Sequence, residues 1–86
     1  MSESEFEDDL QEAMSVAADM GWPADSFEVK PVRHGHAIAG VSIGRRYGSH
    51  AEAFEYDFDG IAVPGGWVAV FLDHLALGKY GPKPLR

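Results

Sequence analysis

Between Phe6 and Ala17, apolar side chains recur at Phe6, Leu10, Ala13, Met14 and Ala17, a spacing that gathers them on one face of an α-helix. Glu5, Asp8, Asp9, Glu12 and Asp19 fall mainly around the remaining surface. The pattern predicts a helix over residues 2–21. Ser2 and Ser4 each stand three residues before a glutamate, Glu5 and Glu7, so either can form a capping box that satisfies free N–H groups of the first turn. Gly21 offers a left-handed C-cap and Pro23 stops the helix from resuming. Trp22, between them, is expected to fold back onto the core.

After the turn-forming Pro23-Ala24-Asp25-Ser26, the period changes from helical to two. Phe27, Val29 and Pro31 alternate with Glu28 and Lys30, and a proline, which cannot donate to a ladder, assigns this strand to a sheet edge. A turn is expected over residues 33–36. In the next run Ala37, Ala39, Val41 and Ile43 share one face, and Ile38 is out of phase with them, so Gly40 marks a candidate bulge. Residues 44–49, Gly-Arg-Arg-Tyr-Gly-Ser, read as a basic loop bracketed by glycines. Phe54, Tyr56 and Phe58 then alternate strictly with Glu55, Asp57 and Asp59, predicting a strand with one aromatic and one acidic face. Asp59-Gly60 carries a two-residue hairpin signal, which predicts a short fourth strand at Ile61-Ala62-Val63, ended by Pro64.

The apolar run from Trp67 to Leu77 is broken only by Asp73 and His74. Periodicity alone leaves helix and strand open here. Its length, its Leu/Ala-rich second half, Gly78 as C-cap and Lys79 at the negative dipole end favour helix. The resulting order, α-β-β-β-(β)-α, is an α+β fold: a two-layer sandwich in which an antiparallel three- or four-stranded meander is covered by the N-terminal and C-terminal helices. Residues 1–80 are expected to form this single domain, with 81–86 as a tail.

Charge sharpens the picture because it is unevenly distributed. The chain has 86 residues and a formal net charge of −7. Residues 1–28 hold Glu3, Glu5, Glu7, Asp8, Asp9, Glu12, Asp19, Asp25 and Glu28 and no Lys or Arg, whereas all 7 bases lie beyond them with five further acids. A surface of that sign repels phosphate, which disfavours direct binding to nucleic acid or an anionic membrane and favours basic protein surfaces. The chain has no cysteine, so neither disulfides nor thiolate metal sites arise. No signal-peptide pattern or membrane-length apolar run is seen, and a cytoplasmic protein without cofactor is expected.

Five chemical readings compete. Asp57 and Asp59 on a strand, and Glu5, Asp8, Asp9 and Glu12 on a helix, offer carboxylates for a divalent cation, but Asp57-x-Asp59-Gly60 is only a fragment of a calcium-loop pattern. His34-x-His36, with His50 and His74, offers imidazoles for zinc, but without cysteine and at unspecific spacing. Gly48-Ser49-His50 beside Arg45, Arg46 and Tyr47 offers a histidine-dependent nuclease loop. Trp22, Trp67 and Tyr80 offer an apolar homodimer interface. The favoured expectation is non-enzymatic binding through Glu5, Asp8, Asp9, Glu12, Glu55, Asp57 and Asp59, whose carboxylates would imitate nucleic-acid charge and occupy a basic protein surface, that of a nucleic-acid-binding protein. Small acidic phage-encoded inhibitors of restriction and CRISPR systems act in this general manner, a likeness of size and charge alone.

Overall fold

The computed structural model describes residues 2–61 and 63–84. Helix α1 spans Glu3–Asp19, strands β1, β2 and β3 span Glu28–His34, Ala37–Tyr47 and His50–Asp57, and helix α2 spans Gly66–Ala76. The strands form one antiparallel sheet in the order β1-β2-β3. Both helices pack on one face of it, as an α+β sandwich requires. Among the described residues no helix is long and apolar enough to cross a membrane.

The helix signals act where the sequence places them. Ser2 is the N-cap, its hydroxyl accepting from the Glu5 N–H at 3.2 Å and donating to the Glu5 carboxylate; such a cap contributes about 1 kcal/mol. At the other end Gly21 takes φ 97°, the Trp22 N–H bonds the Ala17 carbonyl at 2.8 Å and the Gly21 N–H bonds Ala18 at 3.0 Å. This paired closure turns the chain back and buries Trp22 completely in the core. Helix α2 ends the same way: Gly78 has φ 76°, its N–H bonds Leu75, and the Lys79 N–H bonds the His74 carbonyl at 3.0 Å. Lys79 is thereby tied one turn above His74.

On the covered side of the sheet, Val29, Ile43 and Phe54 form one cross-strand row and Pro31, Val41 and Tyr56 the next. All but the exposed Pro31 join one core with Phe6, Ala13 and Ala17 of α1 and Trp67, Phe71 and Leu75 of α2. The bulge sits at the predicted place: Val32 pairs with Gly40 but Arg33 with Ile38, leaving Ala39 as an extra residue on β2. That extra residue turns Ile38 inward, to the same buried side as Val41 and Ile43. Gly40 is required for a second reason, since a Cβ there would lie 2.6 Å from the Tyr56 carbonyl oxygen on β3.

Several boundaries differ from expectation. Arg33 and His34 belong to β1, and the turn contracts to Gly35 and His36. Arg45, Arg46 and Tyr47 are strand, not loop, because β2 continues to a tight turn at Gly48, φ 57°, and Ser49. No hairpin forms at Asp59-Gly60. Instead the Asp57 carboxylate accepts the Asp59 N–H at 3.1 Å, draws Phe58–Gly60 into a 3₁₀ turn and ends the strand. Of the expected fourth strand, Ile61 is extended but, like Val63, belongs to no strand, and Ala62 lies outside the described residues.

Candidate functional site

The favoured acidic residues come from two places in the chain: the first half of α1, in the helical layer, and the end of β3, where Glu55 and Asp57 alternate with the inward Phe54 and Tyr56 and so stand on the uncovered face of the sheet. Phe6 packs against Phe58 with ring centroids 6.2 Å apart, fixing the start of α1 beside the end of β3. Glu3 forms an ion pair with Arg33, which ties the same turn to the end of β1. Next to Arg33, a shallow groove of about 130 Å³ is lined by Val32, His34, Gly40, Glu55, Asp57 and Asp59. Glu5, Asp8 and Glu12 are exposed and Asp9 half-buried; Glu55, Asp57 and Asp59 are exposed. Two of these carboxylates have local duties as well, Glu5 at the Ser2 cap and Asp57 at its turn.

The bases lie mostly toward the far end of the sheet and helices. Asp57 pairs with Gly40 near the start of β2, whereas Arg46 pairs with Ala51 near its finish. At about 3.3 Å per strand residue, these pairs stand about 20 Å apart. Lys79 follows the far end of α2, whose beginning holds Trp67 against Phe6, and the Lys83 side chain reaches Gly21 at the far end of α1.

The other candidates are dispersed. His34 ends β1, His36 is in the following turn, His50 stacks on Tyr47 at 5.5 Å, and His74 is on α2. Among the described residues no three His, Asp or Glu side chains are grouped to hold a metal ion. Ser49 and His50 occupy the β2–β3 turn and the first position of β3, with no hydrogen bond between them. Arg45 is not available to hold an external anion. It is only 7 % exposed, its guanidinium lies over the Trp22 and Tyr47 rings at 4.6 and 4.5 Å, and it donates to the Tyr80 carbonyl at 2.7 Å. Trp22, Trp67 and Tyr80 are likewise core residues, at 1 %, 3 % and 0 % exposure, and present no apolar interface.

Sequence reasoning missed a polar chain that crosses the core. The Tyr80 hydroxyl donates to the Ile43 carbonyl at 3.1 Å, lies 2.8 Å from the Tyr56 hydroxyl, and Tyr56 in turn lies 2.8 Å from His74 Nδ1. Proton counting fixes its direction. A phenol has one proton, Tyr80 gives its proton to Ile43, so Tyr56 must donate to Tyr80 and His74 must donate from Nδ1 to Tyr56. Nε2 of neutral His74 therefore carries the free lone pair. Burial pushes the Tyr56 phenol up to about 12. Burial raises Tyr80 further. Burial lowers the His74 pKa, the Lys79 ammonium lowers it again, and Asp73 opposes both. His74 is thus held neutral as a hydrogen-bond acceptor on its outer side.

No protein-family model matches the chain, and neither a curated protein nor a solved structure matches it significantly.

Proposed function

We propose that the protein is a small acidic binding module that occupies a basic surface on another protein, a nucleic-acid-binding one, in place of nucleic acid. The observation that carries this reading is the exposure of acidic side chains on both layers, from α1 and from the uncovered face of β3, with the start of α1 held by Phe6 against Phe58 just after β3. The exposed Arg46 stands about 20 Å along the sheet from the end of β3, beyond a Debye length of about 8 Å at physiological ionic strength. Glu3 neutralises Arg33, and the exposed Lys30, in the cross-strand row of Ser42 and Glu55, offsets part of the charge on the uncovered face. The acids outnumber these bases, so a net negative field extends outward, and a rigid helix and strand hold its carboxylates at set spacings.

The test is capture of partners on immobilised protein at low and high salt, with and without nuclease, beside a variant carrying Asp8→Lys and Glu12→Lys. Both side chains are exposed, so the variant folds. A protein partner released by salt, resistant to nuclease and lost with the variant supports the reading. A partner held equally at high salt and by the charge-reversed variant refutes it.

A further inference from the structure

A second site lies away from the acidic residues of α1 and β3, where the chain leading into α2 meets the last turns of that helix. A cleft of about 300 Å³ has apolar walls from Val63, Pro64, Val70 and Leu77 and three polar groups, Asp73, His74 and Lys79. Val63 and Leu77, two of the largest exposed apolar side chains in the described structure, are 49 % and 70 % exposed at this one place. Such a concavity, apolar with a few converging polar groups and large enough for a small metabolite, is the usual form of a ligand site.

The polar groups specify the ligand. Lys79 supplies a cation, held beside His74 by the bond of its N–H to the His74 carbonyl. Asp73 supplies an anion. His74 donates inward from Nδ1 to Tyr56, so its Nε2 faces outward with a lone pair and can only accept. A carboxylate is therefore repelled at His74 and Asp73 and welcomed at Lys79, whereas an ammonium has the reverse preference. We propose that this cleft binds a free α-amino acid with an apolar side chain, its carboxylate on Lys79, its ammonium on Asp73 and His74 Nε2, and its side chain against Val63, Val70 and Leu77. A neutral apolar compound would leave all three polar groups unused. A simple anion would leave Asp73 and His74 facing the wrong charge.

Three probes with the same apolar body separate the contacts: L-leucine, L-leucinamide, which lacks the carboxylate as a peptide N-terminus does, and 4-methylvalerate, which lacks the ammonium. Binding is followed by NMR through the Leu77 methyl groups and the His74 ring nitrogens. Leucine is expected to shift both sets of signals saturably. Each truncated probe should bind about tenfold more weakly, since a charge-assisted contact is worth roughly 1.5 kcal/mol or more. Lys79→Met should remove the preference for leucine over leucinamide, and Asp73→Asn should narrow that over 4-methylvalerate. Both positions are exposed, so both variants fold. Leucine that leaves the signals unmoved at millimolar concentration, or either truncated probe binding as tightly as leucine, overturns the assignment. These readouts do not involve the acidic residues of α1 and β3, so the two proposals fail separately.

Discussion

Replacing Tyr80 with phenylalanine deletes one oxygen that participates in two of the three hydrogen bonds of the buried chain, to Ile43 at 3.1 Å and from Tyr56 at 2.8 Å. The ring remains, so its edge-to-face contacts with Phe27, Phe54 and Phe71 are kept and the change isolates the hydroxyl. At a net contribution of about 1 kcal/mol per bond, Tyr80→Phe should destabilise the domain by about 2 kcal/mol. For a domain of this length that lowers Tm by roughly 8–16 °C. Tyr56→Phe also removes two bonds, to Tyr80 and from His74, and should cost about the same. The Tyr56–Tyr80 bond is lost in either variant, so the double variant removes three bonds where the singles together remove four. A thermodynamic cycle should therefore show coupling of about 1 kcal/mol. A second readout is independent of stability. With Tyr80 gone as acceptor, Tyr56 can donate to His74 Nδ1, and the histidine should move its proton to Nε2, visible in long-range ¹H–¹⁵N spectra. Additive single variants, or a wild-type His74 protonated on Nε2 alone at neutral pH, would refute the proton assignment.

Three further outcomes are expected. Arg45→Lys keeps the charge but cannot stack its ammonium over Trp22 and Tyr47 as the planar guanidinium does, and chemical denaturation should show a loss of about 1–3 kcal/mol. Gly40→Ala drives a Cβ to within 2.6 Å of the Tyr56 backbone oxygen and should destabilise severely, whereas Gly44→Ala meets the Ala53 Cβ at 3.4 Å and should be tolerated, a contrast that thermal melts will test. His74 has a lowered pKa in the fold, so the folded state resists a proton that the unfolded chain accepts near 6.5. Its contribution to stability is present above that pH and lost as pH falls through the folded value, with Asp73 opposing and Lys79 reinforcing the effect. Denaturation between pH 7 and 5 should show a slope that is smaller in His74→Asn, which keeps a donor for Tyr56 but does not titrate.

The elements that were legible in the sequence are those specified by local chemistry. The Ser2 cap, the closures at Gly21 and Gly78, the edge position of the Pro31 strand and the inward faces of Phe6, Ala13 and Tyr56 each follow from a few adjacent residues. The bulge was readable because Ile38 breaks an otherwise regular alternation and a glycine stands beside it. The fourth strand was misread where two local rules compete for one segment. Asp59-Gly60 is a hairpin pair, but Asp57 two residues earlier can capture the Asp59 N–H, and once it does the chain leaves the sheet plane. Arg45 and Arg46 were misplaced for a different reason: polarity marks a loop only when the neighbouring ring systems are unknown. Trp22, distant in sequence, and Tyr47, two residues on, together give the Arg45 guanidinium a place inside, while Arg46 is exposed on the continuing strand.

The polar chain had no local signature at all, because its contacts span 18, 24 and 37 residues. What the sequence did contain was an obligation. Strict alternation in β3 places Tyr56 on the covered face, and a phenol buried among aromatic rings must find a partner or forfeit about 1–3 kcal/mol of hydration. A second phenol satisfies the first but inherits the same need, and each can pass on only one proton. Ending the series on the Ile43 carbonyl, which can only accept, orders every donor behind it and leaves the outermost position to a group that can give a proton inward while keeping a lone pair outward. Histidine can do both, and the requirement that solves a packing problem in the core is the one that sets the chemistry of His74 at the cleft.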